Sequence, residues 1–186
     1  MSNNGNNVIR VLMQRIDDGD IRKILAKSND SPSGGGARDL RFRPETEFLP
    51  FFKRMFSDIH TKVRKTKGKQ TVIEILSGTV IWNHDGSDMS QKVEIWPSTD
   101  SRPNECRLAK VNGLKDLIKN SPSGGRSVLM LFQLSNGTIR LYFTNETSLK
   151  NDDWNPKIKE FASDWFESNK KSAYLELESK KQYPNG

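Results

Sequence analysis

The sequence predicts a mostly β chain with a few helices, an α+β fold arranged as a small barrel or open pseudobarrel. Three observations predict it. Short runs rich in β-branched and aromatic residues recur between turn signals. Several of them alternate polar and apolar residues, as half-buried strands do. Only two stretches carry the spacing of an amphipathic helix. At 186 residues the chain can bury a real core as one domain, or one domain with an appendage. With 33% hydrophobic and 28% charged residues, that core must be compact and the surface heavily solvated.

Taken in order, residues 46–59 place Phe48, Leu49, Phe52, Met55, Phe56 and Ile59 near helical spacing. Pro50 is expected in the first turn of that helix, where a proline is tolerated. Val72-Ile73-Glu74-Ile75-Leu76 and Thr79-Val80-Ile81-Trp82 read as two strands broken by Ser77-Gly78. Lys92-Val93-Glu94-Ile95-Trp96 and Arg107-Leu108-Ala109-Lys110-Val111 alternate. Residues 127–132 and 138–144 flank Asn136-Gly137, a pair suited to the positive φ of a type I′ hairpin turn. Asn155-Pro156 is a cap followed by a first-position proline. Ile158, Phe161, Ala162, Trp165 and Phe166 then repeat at i, i+3, i+4, i+7 and i+8. These aromatic stripes read as core, and many short strands with few helices suit a barrel.

Formal net charge is +7 and the pI is near 9.5, which points to an anionic partner. The excess is concentrated. Residues 22–43 hold Arg22, Lys23, Lys27, Arg38, Arg41 and Arg43 against two carboxylates. Residues 53–69 hold Lys53, Arg54, Lys62, Arg64, Lys65, Lys67 and Lys69 against Asp58 alone. Residues 150–186 balance seven lysines with seven carboxylates. A phosphate backbone is the commonest partner of such a surface, through counterion release; a merely solvated loop at 62–69 is the plain alternative. No run nears the roughly 20 apolar residues that span a bilayer, and Met1-Ser2-Asn3-Asn4-Gly5 has no secretory pattern. Cys106, the single cysteine, cannot form an internal disulfide. The expectation is a cytoplasmic chain with no membrane partner.

A search for catalytic groups finds little. His60 and His84 lie far apart with no cysteine pair beside them, which disfavours a zinc site. Carboxylate nucleases need a Glu/Asp-x-Lys signature on a strand after an upstream acid. Asp85 or Asp88 followed by Glu94-Ile95-Trp96 lacks the lysine, and Glu74-Ile75-Leu76 fails likewise. Both glutamates are expected to face solvent. No Ser-His-Asp or Cys-His arrangement is arguable. Ser31-Pro32-Ser33-Gly34-Gly35 and Ser121-Pro122-Ser123-Gly124-Gly125 share wording, but no Gly-Lys-Ser/Thr follows, so neither is a nucleotide loop. The chain is read as having no catalytic site, metal, cofactor or small-molecule ligand of its own.

Two segments carry a family resemblance. Lys27-Ser28-Asn29-Asp30-Ser31-Pro32-Ser33-Gly34-Gly35-Gly36-Ala37-Arg38-Asp39-Leu40-Arg41-Phe42-Arg43-Pro44 resembles the Asn-Asp-Thr-Gly-x-Thr-Gly-Gly stretch of EcoRII-type restriction endonuclease N-terminal effector domains. Asn104-Glu105-Cys106-Arg107-Leu108-Ala109-Lys110 is similar to their Asn-Glu-Lys-Arg-Ile-Thr-Arg segment. Ser127-Val128-Leu129-Met130-Leu131-Phe132 resembles the apolar strand that follows there. The order of the three covers about three quarters of the chain. It is similar to the B3-like DNA-binding family, which implies an open seven-stranded pseudobarrel with short capping helices at residues 1–150. Residues 151–186 would be a C-terminal helical extension, packed on the barrel or leading to a covalently linked nuclease domain.

The resemblance also implies two arms gripping double-stranded DNA in the major groove, for sequence-specific recognition within a bacterial type II restriction enzyme. The early arm would be residues 27–43 and the second residues 98–110. Arg38, Asn104, Glu105 and Arg107 would read bases: Glu105 accepting from a cytosine amino group, Arg107 forking onto guanine, Asn104 contacting adenine or positioning the arm. Lys27, Ser28, Asn29, Asp30, Ser31, Ser33, Gly34, Gly35, Arg41, Arg43, Arg102 and Lys110 would form arm or backbone contacts. The plain alternative for Glu105 and Arg107 is a surface ion pair with each other. Ala37-Arg38 stands where the relatives have His-Gln and Cys106 where they have lysine, so the target sequence is not carried over. Rival classes are a small stand-alone metal-dependent nuclease, marked by divalent-ion-dependent cleavage, and a basic protein-interaction domain, marked by equal binding to any polyanion.

Overall fold

A computed structural model describes residues 7–25, 39–66, 69–100, 102–119 and 126–184. The described chain is mostly β, as the alternation requires, with a few short helices. Among the described residues ten strands form one curled open sheet rather than the seven of the expected pseudobarrel. They are β1 (Val8–Ile16), β2 (Asp39–Phe42), β3 (Asp58–Thr66), β4 (Lys69–His84), β5 (Ser87–Trp96), β6 (Cys106–Ala109), β7 (Ser127–Leu134), β8 (Ile139–Asn145), β9 (Ser172–Glu176) and β10 (Lys181–Tyr183). The order across the sheet is β10-β9-β1-β7-β8-β4-β5-β6-β2, with β3 beside β4. Every pairing is antiparallel except β4 with β8. The helices are α1 (Asp18–Leu25), α2 (Glu45–Met55), α3 (Lys115–Lys119), α4 (Glu146–Asn151) and α5 (Pro156–Glu167).

Two cores lie on opposite faces of the sheet. One packs Phe48, Phe52 and Phe56 from α2 and its C-terminal end against Leu12, Phe42, Val80, Ile95, Leu108 and Leu131. The other packs Ile158, Phe161, Trp165 and Phe166 of α5 against Val11, Met13, Val128 and Met130. A strand covered on both faces has no polar side to show, so Val11-Leu12-Met13 and Val128 to Phe132 run apolar without alternation. Asn155 caps α5 as its sequence promises, its Oδ1 accepting from the Lys157 N–H at 3.0 Å. Asn155→Ala should cost about 1 kcal/mol and lower the melting temperature by about 2–4 °C. An unchanged thermal denaturation curve would remove the cap from the account.

Several local expectations are corrected. Helix α2 starts at Glu45 and stops at Met55, so Pro50 falls in its second turn, where its ring removes the bond to the Thr46 carbonyl. Ile59 belongs to β3 and is 57% exposed. Ser77-Gly78 does not break a strand: β4 runs through it and there exchanges β3 for β8 as its neighbour. A side chain at Gly78 would meet the Phe56 ring at 2.5 Å, so the glycine lets α2 close onto the sheet. At the β7–β8 hairpin only Gly137 has positive φ (85°), and Leu134 bonds Thr138 across a loop longer than a type I′ turn. The type I′ geometry occurs at Asp85-Gly86 instead, with φ of 49° and 82° between β4 and β5. Residues 62–66 are strand rather than loop. Beyond residue 150 the chain is not only helical: β9 pairs with β1 and β10 with β9, which brings this segment into the sheet.

Candidate functional site

Strands β2, β6, β5 and the β3–β4 hairpin turn one face to the second core's side of the sheet, but no helix among the described residues covers them there. Period two decides which residues stand on that face. Leu40 and Phe42, Cys106 and Leu108, Val93 and Ile95 enter the α2 core. Their neighbours Asp39, Arg41, Arg107, Glu94 and Trp96 therefore point the other way. Cross-strand register puts Arg41 opposite Arg107 and Arg107 opposite Trp96. Lys62 and Arg64 of β3 complete an open trough floored partly by Ile73.

Three buried carboxylates organise the cations. Glu94 is 4% exposed and lies 2.7 Å from Lys110 Nζ, 3.3 Å from Lys62 Nζ and 3.8 Å from His60 Nε2. Trp96 Nε1–H donates to it at 3.0 Å. Burial alone would push the Glu94 carboxyl up, but hydrogen bonds from Lys110, Trp96 and Lys62 outweigh it and hold it below its ordinary value. Asp39 Oδ2 accepts from Arg102 Nη1 and Arg107 Nη1, each at 3.2 Å. Glu105 Oε2 accepts from Arg43 Nε at 3.0 Å and Nη2 at 2.5 Å. Arg41 Nε stands 3.8 Å from both Asp39 and Glu105, joining the two hubs. Seven permanent cations (Arg41, Arg43, Lys62, Arg64, Arg102, Arg107, Lys110) thus surround three carboxylates. The excess is positive, and the carboxylates hold the cations in place. No family model matches the sequence, and no curated protein matches it.

The described residues of the segment expected to form a second arm are anchored rather than loose. Asn104 adopts positive φ (57°), and its Oδ1 and carbonyl both accept from the Glu45 N–H, at 3.2 and 3.3 Å. Glu45 Oε1 in turn accepts from the Ser98 N–H at 2.6 Å. Paired backbone bonds between Thr99 and Arg102, at 3.1 and 2.8 Å, close the bend before it. The start of α2 therefore holds residues 98 and 104 at fixed points.

Of the residues singled out from the sequence, Lys27, Ser28, Asn29, Asp30, Ser31, Ser33, Gly34, Gly35 and Arg38 lie outside the described residues, as does the loop at 121–125. Arg41, Arg43, Glu105, Arg102, Arg107 and Lys110 are brought together. Their environments differ from expectation. Glu105 is fully buried behind Arg43, so it does not stand open as an acceptor for a base. Arg107 pairs with Asp39 instead of Glu105, which overturns the simple surface pair. Its side chain is only 13% exposed, whereas Arg43 is 63% exposed. Asn104 serves the turn. Glu94 does not face solvent, because the cations of β3 and the end of β6 close over it.

Asp39, Glu94 and Trp96 were not singled out for the site. The alternation in residues 92–96 already put Glu94 and Trp96 on one face, but nothing local says that β3 and β6 lie beside them. Asp39 Oδ1, Arg41 Nε, Glu105 Oε1 and Arg107 Nε are buried without a hydrogen-bond partner among the described residues. Such atoms are uncommon and call for a reason. The metal-type candidates do not converge: Asp88 accepts two hydrogen bonds from Arg140, at 3.0 and 2.7 Å, and Glu74 is an exposed partner of Lys53. Among the described residues no group of three or more His, Cys, Asp or Glu could hold a metal ion.

Proposed function

We propose that the chain binds double-stranded DNA sequence-specifically, as the recognition domain of a restriction endonuclease whose nuclease lies on a linked domain. The observation that carries this reading is the trough itself. Cations outnumber carboxylates there, and Asp39, Glu94 and Glu105 are buried, so the charge exposed around the Trp96, Ile73 and Ala109 lining is predominantly guanidinium and ammonium. A phosphate backbone supplies the matching row of anions. Arg41 and Arg43 also border a second depression with Lys170 and Lys171, so the cationic surface wraps around the β2 edge. The buried carboxylates give the guanidiniums fixed directions, which supports recognition of a base edge over mere charge attraction. In this reading Lys62, Arg64 and Lys110 meet phosphates. Arg107 and Arg43 are the readers, and Glu105 sets the direction of Arg43.

Fluorescence-anisotropy titrations of a duplex over a salt series test it. Log affinity should fall linearly with log salt, with a slope of about −0.9 per phosphate neutralised. Duplexes selected from a random pool should converge on a common sequence. A flat salt dependence, or equal binding to heparin, single strands and all duplexes, would overturn the proposal.

A further inference from the structure

Strand β3 pairs with β4 along all nine of its residues, from Asp58 opposite Ser77 to Thr66 opposite Lys69. Among the described residues its other edge has no neighbour. A long, regular, open edge is a template for another strand. The side chains on it are arranged for one. Asp58, His60, Lys62 and Arg64 share the trough face, since His60 and Lys62 both reach Glu94. Ile59, Thr61 and Val63 share the opposite face, with Ile59 57% and Val63 60% exposed. Val72, the cross-strand partner of Val63, is 66% exposed and extends the apolar strip. Asp58 and Arg64 carry opposite charges and neither has an ion-pair partner among the described residues.

We propose that two copies of this chain associate through antiparallel pairing of β3 with β3 of the second copy, about a two-fold axis at Thr61. Residues directly opposite in an antiparallel pair share a face, so the allowed registers shift by two. Centring on Lys62 would set lysine against lysine. Centring on Val63 would set Lys62 against Arg64. Centring on Thr61 sets Asp58 against Arg64 twice, Ile59 against Val63 twice, and Lys62 against the imidazole of His60. Each unpartnered charge of the strand then meets the other, and the exposed apolar residues cover each other. The contact is isologous, so it closes at a dimer. With the axis perpendicular to the sheet, both troughs face the same side. That two troughs could then meet one duplex rests on the DNA-binding reading above; the dimer itself does not.

Sedimentation velocity of the full chain without DNA, over a concentration series, tests the proposal. Dimer mass is expected for the wild-type chain. Asp58→Arg and Arg64→Asp should each raise the dissociation constant roughly tenfold, because two cross-strand attractions become repulsions. The double swap should restore dimerisation, which a folding defect would not do. Thr61→Cys should give a disulfide-linked dimer on mild oxidation, since opposed Cα atoms lie about 4.5–5.5 Å apart; Cys106 is buried and does not compete. A chain that stays monomeric throughout the series, or single swaps that leave the dimer intact, would overturn it. Failure to bind duplex with the dimer intact would sink the DNA reading and leave this one standing.

Discussion

Asp39→Ala is expected to destabilise the fold by about 3 kcal/mol, the lower end of the cost of breaking a buried ion pair. Asp39 is 3% exposed and is the carboxylate held by both Arg102 and Arg107 at 3.2 Å. Without it Arg107, itself 13% exposed, keeps its charge in a poorly hydrated place, directly across the β2–β6 ladder from Arg41. Arg41 and Arg102 are 39% and 26% exposed and can turn to water, which keeps the cost from rising higher. For a domain of this size the melting temperature should fall by roughly 6–12 °C. Asp39→Asn keeps one oxygen that can accept from both guanidiniums and should lose less. Added duplex should recover part of the Asp39→Ala loss by mass action, because phosphates replace the missing anion. An unchanged melting temperature would show that the carboxylate does not hold the cluster together.

What could be read from the sequence was what depends on near neighbours. The spacing from Ile158 to Phe166 and the Asn155-Pro156 start fixed α5, because helix amphipathicity and capping act within a few residues. Alternation in residues 92–96 and 107–111 marked β5 and β6 and sorted their faces. Strands β1 and β7 are buried on both faces, so alternation is lost; β7 survived through its apolar run, and β1 went unnoticed between polar flanks. Strand β3 was hidden because its lysines and arginine read as loop composition. They can be strand residues since one face of β3 is a charged trough wall and its far edge has no neighbour among the described residues. The site is partly legible: the sequence marks the cations on β2 and β6, but not the burial of the carboxylates that hold them. The burial of Glu105 is not legible locally, because the group that covers it, Arg43, is 62 residues upstream.

Arg107→Ala should weaken binding to the preferred duplex by about 1–3 kcal/mol, roughly 5- to 150-fold, and relax discrimination at one base pair. Its guanidinium is aimed by Asp39 at Nη1 and lies 5.9 Å from the Trp96 ring, while Nε remains buried without a partner. A group so directed favours one acceptor geometry over many. Arg64 has no such restraint; Arg64→Ala should weaken all duplexes alike and reduce the salt slope by about one phosphate's worth. Glu105→Ala separates charge from readout. Removing the carboxylate frees Arg43 and takes one negative charge from the site, so non-specific binding should strengthen while the preferred site loses its advantage. Competition between the selected duplex and a scrambled one, at fixed salt and below each variant's melting temperature, measures the ratio directly. If Arg107→Ala and Glu105→Ala both leave that ratio at the wild-type value, residues 98–110 are not the reading arm, and the trough grips duplexes by charge alone.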